Sequence, residues 1–162
     1  MAGSYRVHDA DQTPVAGARI LVVEARFNAD IVAKLREGAL GTLQRLGAEA
    51  TSIAVPGALE LAPAAAIALD IAERSGAPYD GVVALGCVIR GDTYHFEIVA
   101  NESARALTEL SVSRRLPLGN GILTVDNENQ AIERADPAHG DKGGDAALAA
   151  LALVRLARSF RG

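Results

Sequence analysis

The sequence predicts a three-layer α/β/α sandwich built on a four-stranded, mainly parallel sheet. Three observations carry that prediction. Short β-branched runs alternate along the chain with longer stretches whose apolar residues recur at helical spacing. The short runs are apolar throughout, as expected of strands covered by helices on both faces. The 162 residues suffice for one domain with a real core, and no internal repeat, low-complexity stretch or linker divides them.

Residues 1–17 are polar and irregular; they are expected to form an N-terminal tail or a strand that pairs elsewhere, ahead of a single domain over 18–162. Arg19–Glu24 (RILVVE) reads as the first buried strand. Ala29–Leu46 carries Ile31, Val32, Leu35, Ala39, Leu43 and Leu46 at helical spacing, and Gly47 closes it. Glu49–Val55 is the second strand, Pro56-Gly57 the turn, and Leu59–Ser75 the second helix. Gly81–Ile89 and Thr93–Ser111 form the third strand and helix, and Gly121–Val125 the fourth strand. A short helix over Asn129–Ala135, a loop over Asp136–Gly144 and a long helix over Asp145–Phe160 complete the chain. Right-handed crossovers between such strands give a flavodoxin-like sheet, whose ligands sit outside the carboxyl ends of the strands.

Composition removes several function classes. The net charge of −4 offers no basic excess for a general nucleic-acid surface. Charges or prolines interrupt every apolar run before the ~18 residues of a membrane span, and the first residues have no secretory h-region. Cys87 is the only cysteine, so no intramolecular disulfide forms and a cytoplasmic protein is expected. His8, His95 and His139 are scattered, so no metal site is expected; neither a dinucleotide nor a Walker fingerprint is present. Aromatics make up only 4% and alanine is abundant. Small side chains bury little area each, and the second helix is apolar nearly all round, so a second subunit is expected to cover it.

The most informative stretch is Ala84–Glu97, ALGCVIRGDTYHFE. An apolar strand turns at Gly91 into a helix, which presents free backbone N–H groups to an anion. Arg90, Thr93 and His95 lie in the same turn, so chemistry on a small phosphorylated substrate is expected. After the first strand, Phe27 either stacks on a planar ring or staples the helix that Asn28 caps. After the second, Glu60 either binds ligand hydroxyls beside the Ala58 N–H or complements the helix dipole. After the fourth, Arg134 and Lys142 either neutralise a phosphate or are solvated charges.

These motifs resemble a known family. VPGALE at 55–60, GCVIRGDTYHFE at 86–97, NGILTV at 120–125, QAIERA at 130–135 and GDKG at 140–143 are similar, in order and spacing, to those of the 6,7-dimethyl-8-ribityllumazine synthases of riboflavin biosynthesis. The resemblance implies condensation of 5-amino-6-(D-ribitylamino)uracil with 3,4-dihydroxy-2-butanone 4-phosphate, with no cofactor and no metal. It implies that Phe27 stacks on the pyrimidine with Asn28 beside it, and that Ala58, Leu59 and Glu60 hold the ribityl chain. Cys87, Val88 and Ile89 would line the heterocycle pocket, and Asp92 and Thr93 would bind phosphate mainly through backbone N–H groups. His95 would shuttle protons, and Arg134 would bind phosphate from its own strand-four side with Lys142 assisting. Asn120 stands where many members carry an aromatic that reaches the ring from the neighbouring subunit. The resemblance further implies a homopentamer or a multiple of it, with riboflavin synthase as a candidate partner. The alternatives on the same scaffold are a non-catalytic flavin- or lumazine-binding protein and a shell-forming protein.

Overall fold

The computed structural model describes residues 11–162. Four strands, β1 (Arg19–Ala25), β2 (Glu49–Val55), β3 (Gly81–Ile89) and β4 (Leu118–Val125), stand in the order β2-β1-β3-β4, and every pair is parallel. Helices α1 (Ala29–Arg45), α4 (Glu128–Ala135) and α5 (Lys142–Arg161) cover one face, and α2 (Leu61–Arg74) and α3 (His95–Arg114) cover the other. The pleat divides the strand residues between two cores. Ile20 and Val22 of β1 join the α1/α4/α5 core, while Leu21 and Val23 join the α2/α3 core.

The register creates the feature that matters for function. Glu24 lies opposite Ala54 and Leu85, so β1 and β2 end together while β3 runs on through Cys87, Val88 and Ile89, paired with Leu123, Thr124 and Val125. A step is left at the carboxyl end of the sheet. The chain leaving β1 and the chain leaving β2 both turn at the foot of that step.

Several boundaries differ from expectation, each for a physical reason. The second helix starts later, because Ala58–Glu60 forms a single 3-10 turn before α2. The third starts at His95, because Thr93 stays in the turn and its hydroxyl accepts from the His95 N–H at 3.4 Å. The terminal helix starts earlier, at Lys142, where the Asp141 carboxylate caps it by accepting from the Gly144 N–H at 3.2 Å. β4 starts at Leu118 because Gly119 fits beneath α5, where a Cβ would lie 1.8 Å from the Ala146 oxygen. β2 is an edge strand, and Glu49–Ser52 are exposed; double-sided burial holds for β1 and most of β3.

Residues 11–17 form no strand. Val15 is buried, its N–H donates to the Leu46 oxygen at 2.7 Å, and Arg155 and Arg158 of α5 donate to the oxygens of Thr13 and Ala16. Residues 1–10 of the expected tail or exchanged strand lie outside the described residues. No described helix is long and apolar enough to cross a membrane. α2 buries Leu61, Ala62, Ala65, Leu69 and Ala72 within the chain but leaves Ile67 and Ile71 exposed.

Candidate active site

The step at the carboxyl end of the sheet holds a cleft of about 360 Å³. That volume lies within the range of small-molecule pockets. Its walls come from the turns after β1, β2 and β3 and from the first turns of α3.

The β1 turn supplies Phe27 and Asn28. Phe27 is 73% exposed, so it staples nothing and its ring is available to stack. Asn28 precedes α1 with φ 59° and ψ 50°, a left-handed conformation that asparagine tolerates better than most residues. Its side chain does not cap α1. The amide instead donates to the Cys87 oxygen at 2.9 Å, tying the end of β1 to the overhang of β3. The β2 turn supplies Gly57, Ala58, Leu59 and Glu60. Glu60 sits on the 3-10 turn with its carboxylate toward Gly57, and Ala58 is buried behind it.

The floor is Cys87, with Val88 and Ile89 beyond it. Burial pushes the Cys87 thiol up to about 11, so it is neutral at pH 7 and acts as a soft apolar surface. The third wall carries Gly91, Thr93, His95, Phe96 and Val99. Gly91–His95 is exposed throughout, and among the described residues the N–H groups of Asp92, Thr93 and Tyr94 donate to nothing in the protomer. Free amides at the head of a twenty-residue helix suit an anion, with an imidazole one step away. Gly91 has no positive φ and no crowding, so the turn does not require glycine there.

Of the residues expected at a site, Phe27, Asn28, Ala58, Leu59, Glu60, Cys87, Val88, Ile89, Thr93 and His95 line this cleft. Asp92 is within the same turn, but it is its flanking residues that line the cleft. Asn120, Arg134 and Lys142 do not reach it. Asn120 folds onto its own strand and accepts from the Ile122 N–H at 2.9 Å. Arg134 is exposed on α4 and donates to the Gln130 oxygen at 3.1 Å, while Lys142 pairs with Asp145 at 3.2 Å. Arg134 is thus not among the residues that line the cleft within this chain. Arg90 is held away by Glu97, Asp126 and the Phe96 ring. Sequence reasoning missed Ala25, Gly57, Gly91, Phe96 and Val99 as lining residues. Phe96 and Val99 share one face of α3 at i, i+3 spacing, which was the available signal. No group of described residues has the makings of a metal site.

The model of one protein family, described as 6,7-dimethyl-8-ribityllumazine synthase, matches residues 17–158. Proteins of that name resemble the chain over most of its length. That of Rhodopseudomonas palustris strain ATCC BAA-98 / CGA009, designated 6,7-dimethyl-8-ribityllumazine synthase 1, is 57% identical over 98% of this chain and 97% of its own. That of Nitrobacter hamburgensis is 58% identical over the same shares, and that of Methylocella silvestris is 64% identical over 88% of this chain and 87% of its own.

Proposed function

The chain belongs to the 6,7-dimethyl-8-ribityllumazine synthase family, and from that premise we propose that the cleft at the carboxyl end of its sheet is the active site. The protein is a transferase of riboflavin biosynthesis. It condenses 5-amino-6-(D-ribitylamino)uracil with 3,4-dihydroxy-2-butanone 4-phosphate, releasing water and inorganic phosphate. The observation that carries the placement is the convergence in one cleft of an exposed ring, a carboxylate, free amides and an imidazole.

In this reading Phe27 stacks on the pyrimidine and Asn28 fixes the turn that presents it. Glu60, with Ala58 and Leu59, accepts hydrogen bonds from the ribityl hydroxyls, while Cys87, Val88 and Ile89 form the apolar bed of the heterocycle. The amides of Asp92 and Thr93 hold the phosphate. The amine attacks the ketone to form an imine, phosphate leaves by elimination, and the ring closes. His95 moves protons between carbon and oxygen during those steps. Both substrates are intrinsically reactive, so holding them in register supplies much of the acceleration.

The lining contains no lysine or arginine, and a departing phosphate is best stabilised by a cation. We assign that role to Arg134, assisted by Lys142, of a neighbouring copy; Arg134 is exposed and has no carboxylate partner among the described residues. Asn120 of the neighbour approaches the ring in the same way. The exposed Ile67 and Ile71 of α2, Val112 of α3 and Leu153, Leu156 and Phe160 of α5 give such copies apolar surface to bury. A cytoplasmic homopentamer, or a multiple of one, with riboflavin synthase as a candidate partner, fits this reading; so does the head-to-tail contact of a closed ring.

The test is incubation of the purified protein with both substrates in EDTA while lumazine absorbance is followed, with light scattering on the same sample. Product above the uncatalysed rate from a pentamer or a multiple of one is the expected result. A catalytically active monomer would remove the shared site, and absence of product would remove the enzyme.

A further inference from the structure

Arg90 is a cation beside the third wall of the cleft, and its contacts set it apart from a ligand-binding arginine. Its backbone N–H donates to the Val125 oxygen at 2.9 Å, fixing the end of β3 to the end of β4. Its guanidinium forms an ion pair with Glu97 in the first turn of α3, bonds Asp126 after β4 at 3.1 Å, and lies 4.3 Å from the centre of the Phe96 ring. One side chain thus joins β3, β4 and α3. Two carboxylates around one guanidinium leave the cluster net negative, which repels a phosphate.

The span that Arg90 brackets has little else to hold it. Gly91–His95 is exposed, Tyr94 is 71% exposed, and among the described residues the side chains of Asp92 and Tyr94 make no hydrogen bond or ion pair. Thr93 bonds only the nearby His95 N–H. Helix α3 begins without a side-chain cap. The contacts of Arg90 to Phe96 and Glu97 therefore close the base of the loop that carries the phosphate amides and the imidazole. Its fork and flat face suit a carboxylate on one side and a ring on another.

We propose that Arg90 is a positioning residue: clamped by Glu97, Asp126 and Phe96, it holds the Gly91–His95 loop in its working geometry without touching substrate. The proposal rests on the active-site reading above. A small displacement of a catalytic loop costs far more in rate than in stability.

The full-length assembly would be compared as wild type, Arg90→Met, Arg90→Lys, Glu97→Gln and the Arg90→Met/Glu97→Gln pair. Two readouts would be taken: steady-state kinetics, and hydrogen exchange at the Glu97 and Ile98 amides, which bond the Tyr94 oxygen at the loop–helix junction. The expected result is a kcat about tenfold lower and a higher KM for the butanone phosphate in Arg90→Met and in Glu97→Gln. The KM for the uracil stays unchanged, exchange at Glu97 and Ile98 becomes faster, and the melting temperature is near wild type. The double variant is no worse than either single one, and Arg90→Lys recovers only a fraction. Glu97→Gln is decisive, because a carboxylate binds no phosphate. If it leaves kinetics and exchange at wild-type values while Arg90→Met is impaired, Arg90 contacts substrate directly and the proposal fails. It also fails if every variant keeps wild-type kinetics. Should Arg90→Met fail to fold, Asp126→Asn weakens the same clamp from an exposed position and must shift exchange in the same direction. A wild-type protein without synthase activity, whose exchange nevertheless quickens in Arg90→Met, would overturn the functional reading while the clamp stands.

Discussion

The two faces of the sheet are packed by opposite means. On the α1/α4/α5 face, backbones nearly touch. A Cβ at Gly143 of α5 would lie 1.9 Å from the Leu35 oxygen of α1, and one at Gly119 of β4 would lie 1.8 Å from the Ala146 oxygen of α5. Alanines at 146, 147 and 150 let α5 settle this close, and the core there is dense and closed within one protomer. On the α2/α3 face, Ile67, Ile71, Ile98 and Val112 stay exposed, and the cleft opens at its carboxyl end. A Cβ at Gly91 would meet nothing within 4 Å. The lesson is a division of labour: one face anchors the strands through close backbone contact, and the other opens the cleft at the carboxyl end of the sheet.

The contrast is broken most directly at Gly143. Gly143→Ala places a methyl against backbone that belongs to another helix, so α5 must move off α1. The expected loss is at least about 3 kcal/mol of unfolding free energy, read by urea denaturation. Gly41→Ala in α1, where a Cβ meets nothing, is the matched control and should gain about 0.5–1 kcal/mol from helix propensity. Equal effects at the two positions would mean that close backbone approach is not what holds this face together.

Cys87 lies at the boundary between closed core and cleft. Burial raises its thiol to about 11, above the ordinary ~8.5. The folded state thus favours the neutral thiol. Its stabilising contribution is complete below pH ~8.5 and is lost as pH rises through about 11. At pH 8 the folded protein should react with iodoacetamide about 100-fold more slowly than the urea-unfolded chain, because less thiolate is present. Comparable rates would mean that the cleft floor is wet.

His95 tests the other side of the comparison. It is exposed, so His95→Ala should leave the melting temperature unchanged while kcat falls about 10- to 100-fold. A fall in stability with kcat preserved would make it a structural residue.

The same division explains what could be read from sequence. β1 and β3 were legible because they are buried and apolar; β2 matched in extent but is exposed along Glu49–Ser52, as an edge strand can be. The early start of β4 and of α5 was hidden, because Gly119 and Gly143 are poor formers of either element and sit where two backbones meet. Phe27, Glu60, Cys87 and His95 were legible as cleft residues because parallel topology places strand ends together. Asn120, Arg134 and Lys142 carried motif signal but no local signal for position, and within one protomer they lie away from the cleft. The true setting of Arg90 was invisible, since Asp126 is 36 residues distant in sequence and a lone arginine after a strand reads equally well as a phosphate ligand.

The smallest expected effect sharpens the comparison furthest. Gly91 lines the cleft, its φ is not positive, and a Cβ there would meet no atom of the protomer. Neither strain nor crowding opposes alanine, and alanine narrows the conformational freedom of the unfolded chain. Gly91→Ala should therefore change stability by less than about 0.5 kcal/mol in either direction. Any loss of kcat/KM in that variant reports on the space a substrate occupies, because the fold makes no use of it. Set beside Gly143→Ala, the same methyl on the same residue type separates the two faces: at position 143 it breaks the support, and at position 91 it obstructs the ligand alone. A large stability loss at Gly91 would show that the loop is packed after all, and the distinction between a closed face and an open one would fail there.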